Sequence, residues 1–181
     1  DKALGTTVSF PKRIPVLINY TAKEGKYEKK PDKQDLELIR KISDLPLSSY
    51  LPTLELPDMQ MRRVGRMQPA NITHIHHFFL PRAKHILAAL WQRAACFEDR
   101  NQRRILLFFV EQAIWGLSLL NRYSPSHFSQ TNRALSGVFY IASQISEVSP
   151  WYNLEGKLGR LAKVFGNYSM KSDCTIILNQ D

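Results

Sequence analysis

The stretch ITHIHHFFLPRAKHILAALW, residues 72–91, decides how the middle of the chain is read. Three histidines, His74, His76 and His77, fall within four positions, and a proline and an apolar pattern follow. Pro81 suits the first turn of a helix, where the N–H it lacks would have no intrahelical acceptor. Ile86, Leu87, Leu90, Ala94 and Phe97 recur with helical spacing, predicting a helix over 81–97. If the histidine stretch is extended, His74 and His76 share one face. Two such ligands could begin a metal site, but further ligands must come from elsewhere, His85 and His127 being the other histidines. With no HExxH pattern, the plainer reading is a strand or helix entrance whose histidines bond to loop backbone, and no metal is assigned.

Working downstream, Glu98 and Asp99 place acidic groups where a second helix has its positive end. Its body, RRILLFFVEQAIWGLSLL (103–120), is apolar on nearly every side and is expected to be the buried central helix. The uninterrupted apolar run 105–110 is far below the roughly 18 residues a membrane span requires, so no membrane partner is expected. Glu111 would be buried there and need an arginine or a backbone amide. LSGVFYIAS (135–143) reads as a strand. Ser149 and Pro150 read as N-cap and first residue of a further helix, with Leu154, Leu158, Leu161 and Phe165 as its buried stripe and Gly166 as its stop. CTIILNQD (174–181) reads as a last strand, which makes a β-α-β unit.

Upstream, IPVLINY (14–20), the turn signal AKEG (22–25) and KYEKK (26–30) read as a hairpin with a lysine-rich edge. Pro31 and Asp32 open a helix with the stripe Leu36, Ile39 and Ile42, joined by Leu38 and Leu45. Pro46, Pro52 and Pro57 punctuate an irregular connector packed by Tyr50, Leu51 and Leu54. Arg62, Arg63 and Arg66 then surround Gly65, either as a mobile basic loop touching phosphates or as a solvated loop. The fold class expected is an α+β or α/β fragment, with two long central helices, an N-terminal β-hairpin and a C-terminal β-α-β unit. One domain is expected over 1–181, comprising hairpin, helix and basic loop (1–66), helical core (67–133) and β-α-β (134–181).

The composition, 44% hydrophobic and 23% charged, is that of a globular chain rather than a disordered one. The net charge of +9 is spread evenly, 13 Lys/Arg against 9 Asp/Glu in 1–66 and 12 against 7 in 67–181, so any anion-binding surface must be assembled by folding. Cys96 and Cys174 form no CxxC pair and read as core thiols in a reducing cytosol. The lack of an initiator Met and of a signal-peptide core, with an ending on TIILNQD, reads as a segment excised from a longer protein.

Catalytic signatures are missing: no GxGxxG, GxxxxGK[ST] or GxSxG occurs, and no Ser, His and Asp are ordered into a triad. What stands out is basic and aromatic: Arg62, Arg63, Arg66, Arg100, Arg103, Arg104, Arg122, Tyr123, His127, Phe128 and Arg133. Arginines fork onto phosphate oxygens and rings stack on unpaired bases. The alternative is that the rings are core and the arginines cover helix ends.

Several stretches together resemble the middle region of large bacterial DNA methylases of the adenine-N6/cytosine-N4 amino-methyltransferase class. They are ITHIHHFFLPRAKHILAALW, RILLFFVEQAIWGLSLLNRY (104–123) and NRALSGVFYIASQISEVSPWYNLEGKLGRLAKVF (132–165), with IPVLINYTAKEGKYEKKPDKQDLELI (14–39) ahead of them. The resemblance implies a cytoplasmic transferase of the restriction–modification kind, with S-adenosylmethionine as methyl donor and DNA as substrate. It implies that Asp181 ends the strand whose acidic residue lies near the cofactor adenine. The glycine loop and the DPPY or DPPF motif of that family are absent from the 181 residues. Amino methylation needs both a bound sulfonium donor and a pocket for a flipped base. The segment alone is therefore expected to be inactive and to need no cofactor, its partners being DNA and the remainder of the methylase chain. DNA contact is assigned to Arg62, Arg63, Arg66, Arg100, Arg103, Arg104 and Arg133. The other readings are a non-catalytic basic module binding nucleic acid or protein, and a metal-dependent enzyme using His74 and His76.

Overall fold

A computed structural model of the protein describes residues 1–63, 67–127, 131–132 and 139–167. It has mixed helix and strand content, beginning with an antiparallel hairpin. Strands β1 (Ile18–Ala22) and β2 (Gly25–Lys29) pair from Ile18↔Lys29 to Ala22↔Gly25. The turn falls where AKEG predicted it, and Gly25 takes a φ of +147°, which a side chain would resist. Tyr20 and Tyr27 stack across the strands with ring centroids 5.6 Å apart.

Helix α1 (Lys33–Asp44) starts at a reciprocal cap: Asp35 N–H donates to Asp32 Oδ1 at 3.0 Å, and Asp32 N–H to Asp35 Oδ2 at 2.9 Å. Lys29 Nζ lies 3.0 Å from Asp32 and 2.8 Å from Asp35, tying the hairpin's end to the helix start. The apolar stripe predicted for this helix is present in sequence, but no residue of α1 is buried, and Leu36, Leu38 and Ile39 are exposed. In the connector only Leu51 is buried; Tyr50 and Leu54 face outward. Helix α2 (Gln60–Arg63) is a single turn.

Residues 54–56 pair with 73–75 through Leu56 N–H to Thr73 O at 2.8 Å and Ile75 N–H to Leu54 O at 3.0 Å. A 3₁₀ turn (Ile75–Phe78) follows, then α3 (Pro81–Ala95), with Pro81 at its start as the sequence required. Helix α3 buries Ala83, Leu87, Ala88 and Ala94, whereas Phe97 lies past its end and is exposed. Helix α4 (Arg100–Glu111) packs beside it and is capped by Asp99, whose Oδ1 accepts from Gln102 N–H at 2.7 Å.

The expected central helix over 103–120 is corrected in two respects. The helix ends at Glu111, and the chain resumes in one turn, α5 (Ile114–Leu117). Only Val110 of α4 is buried, Ile105 and Phe108 are exposed, and Glu111 faces solvent. The break turns Ala113 and Leu117 inward, each at most 1% exposed, against Ala83, Leu87 and Leu154.

That next helix, α6 (Pro150–Asn167), begins at the predicted proline, and Ser149 O accepts from Asn153 N–H at 3.3 Å. It buries Leu154, leaves Leu158 exposed and runs past Gly166; the Phe165 side chain lies outside the described residues. Short strands β3 (Arg122–Tyr123) and β4 (Thr131–Asn132) pair antiparallel. Of the predicted β-α-β unit the helix is present. Residues 139–143 are described and form no strand, and the last strand (174–181) lies outside the described residues. A second core joins Met67, Ala70, Ile72, Phe78, Leu119, Leu120 and Ile141, and Leu119 N–H donates to Phe78 O at 2.8 Å. Cys96 is exposed at the end of α3, not a core thiol; Cys174 lies outside the described residues.

Candidate functional site

The arginines assigned to DNA contact fall into two groups. Arg62 and Arg63 stand on α2, where Arg62 Nη1 donates to Leu56 O at 3.0 Å and Arg63 grips Asp58 through Nε, at 3.0 Å, and Nη2. The pair holds Asp58 below the usual carboxylate range and pushes the Arg63 guanidinium up. Thus in the described part of the basic loop the Arg63 charge is paired with Asp58, whereas Arg62 is held by a backbone carbonyl. Arg66 lies outside the described residues, as do Arg133, Phe128 and Asp181.

Arg100, Arg103 and Arg104 occupy the first turn and a half of α4. Arg103 Nη1 donates to Phe97 O at 2.8 Å and Glu98 O at 3.4 Å, the carbonyls of the loop between α3 and α4. Arg100 and Arg104 are exposed, and among the described residues no carboxylate lies within ion-pair distance of either. They are four apart, hence on one face, and both sit near the positive end of the helix dipole. Like charges in that position cost stability. An anion arriving there would meet two guanidinium groups and the helix dipole at once.

A second constellation lies where the sequence offered only loose ligands. The 3₁₀ turn places the rings of His76 and His77 side by side, centroids 4.3 Å apart, with His74 at 5.6 and 5.1 Å. His74 Nδ1 is 2.9 Å from Thr73 Oγ1. Both His76 Nε2 and His77 Nε2 lie 2.7 Å from Asp1 Oδ2. Asp1 Oδ1 is held by the N–H groups of Ala3, at 2.9 Å, and Leu4, at 3.3 Å. All three side chains are at most 4% exposed. Burial lowers both imidazoles to about 4, and Lys84 and the neighbouring rings add to this. The Asp1 carboxylate opposes the shift, because at 2.7 Å it favours a proton on each ring. The pairing expected from an extended strand, His74 with His76, is replaced by His76 with His77. The long-range partner, 75 residues away, carried no local signal.

Among the described residues no helix is long and apolar enough to cross a membrane. No family model, curated protein or solved structure matches the chain.

Proposed function

We propose that the chain is a non-catalytic segment of an S-adenosylmethionine-dependent DNA amino-methyltransferase of the adenine-N6 or cytosine-N4 class. It acts in the cytoplasm, braces the methylase fold and contacts DNA through α4. The observation that carries this reading is that three of the four stretches resembling the methylase middle region, 72–91, 104–123 and 132–165, pack together in shared cores. Phe78, Leu119 and Ile141 share one core, and Ala83, Leu117 and Leu154 the other, each residue coming from a different stretch. The uncompensated Arg100 and Arg104 and the +9 charge support the DNA contact.

The bracing role is supported by apolar side chains left in water. Ile105, Phe108 and Trp115 on α4 and α5, and Trp151, Leu158 and Val164 on α6, are all at least half exposed. Surface of that kind marks a contact with further polypeptide. The same feature favours the second reading, a basic protein-binding module with no part in methylation. Fluorescence anisotropy with duplex DNA across a salt series tests the first reading. Affinity that falls steeply with salt is expected; affinity indifferent to salt removes the phosphate-led mode. Methyl transfer by the purified chain alone would overturn its non-catalytic assignment.

A further inference from the structure

We propose that Asp1, His76 and His77 bind a divalent transition-metal ion of the zinc type, which fastens the N-terminal segment to the mouth of α3. The donors are two imidazole nitrogens and one carboxylate oxygen, a set suited to zinc. All three donor atoms lie within 4.8 Å of one another and so can reach one centre. Metal–donor bonds of 2.0–2.2 Å in a tetrahedron put donors about 3.3 Å apart. The ion therefore enters by opening each 2.7 Å N–H···O contact by roughly 0.6 Å.

The surroundings hold these ligands in place. Backbone N–H groups of Ala3 and Leu4 occupy Asp1 Oδ1 and leave Oδ2 for the ion. The Phe10 ring meets His77 edge-on at 4.8 Å. Ligation through Nε2 requires the ring proton to sit on Nδ1. At His77 the Thr73 N–H donates to Nδ1 at 3.2 Å, so ligation through Nε2 gives up that bond and turns the ring proton toward the Thr73 hydroxyl oxygen, also 3.2 Å from Nδ1. His76 Nδ1 is buried and has no partner among the described residues, so no competing bond at Nδ1 opposes moving the proton there once the ion takes Nε2 from Asp1.

The charge balance points the same way. The buried Asp1 carboxylate accepts from the backbone N–H groups of Ala3 and Leu4 and faces the Nε2 atoms of His76 and His77. A divalent ion would compensate that carboxylate directly. Three protein ligands leave one tetrahedral position for water or for His74, whose ring borders the site.

Titration with Co²⁺ followed by its visible absorption, and with Zn²⁺ against a chromophoric chelator, tests the proposal on the whole chain. One equivalent of each ion should bind, and Co²⁺ should give the intense bands of a tetrahedral site. D1N and H77N should each weaken binding about tenfold or more, the scale on which metal sites respond to lost partners, while H127N, in an exposed loop, leaves it unchanged. Circular dichroism of D1N checks that the fold survives. If either variant unfolds, imidazole ¹⁵N shifts of the unmodified chain decide, since His76 and His77 Nε2 must both move on adding Zn²⁺. No stoichiometric binding, binding that D1N retains in a folded state, or shifts confined to other histidines would overturn the site.

Discussion

Replacing both Arg100 and Arg104 with glutamine should move DNA affinity and stability in opposite directions. Glutamine has nearly the helix propensity of arginine, so the change isolates charge. Each guanidinium that neutralises a phosphate contributes about 0.9 to the slope of log affinity against log salt. Loss of two contacts should therefore reduce that slope by about 1.8 in magnitude. Arg100 is the first residue of α4, against the positive end of its dipole, and removing a cation there is worth about 0.3–1 kcal/mol at low salt. Relief of the repulsion four residues apart adds about 0.2–0.5 kcal/mol. For a domain of this size a gain of about 1 kcal/mol raises the melting temperature by roughly 2–4 °C. Anisotropy over about 50–200 mM salt reads the slope, and thermal circular dichroism at low salt reads the stability. An unchanged slope would refute the DNA contact. A fall in both quantities would show that the arginines serve the fold instead.

Two further outcomes are expected. Leu117→Ala empties a site only 1% exposed and should cost about 2–5 kcal/mol in urea unfolding. A cost below about 1 kcal/mol would mean that the packing of α5 on α3 and α6 is wrong. The exposed Cys96 should react with a thiol reagent in the native protein as fast as a free thiol; protection lifted only by denaturant would restore it to the core.

The parts of the fold legible in sequence were those written in a few adjacent residues. The hairpin turn before Gly25, the cap at Asp32, Pro81 at the start of α3 and Asp99 at the start of α4 each depend on local backbone chemistry. Burial was less legible, because it depends on what lies opposite. The apolar run 105–120 looked the same whether central or marginal, and only tertiary contact bends it after Glu111 to bury Ala113 and Leu117. Arg103 looked like a free cation in sequence, yet it is occupied with loop carbonyls. The histidines failed for a related reason. Alternation along a strand pairs His74 with His76, whereas a 3₁₀ turn brings His76 and His77 to a carboxylate at the far end of the chain.

Gly116 couples two positions that are distant in sequence. A β-carbon on it would come within 2.0 Å of Asn153 Nδ2, across the contact between α5 and α6. Homologous chains with alanine or serine at 116 should therefore show a shorter or reoriented side chain at 153. Covariation between these two sites would be the evolutionary trace of one crowded helix crossing.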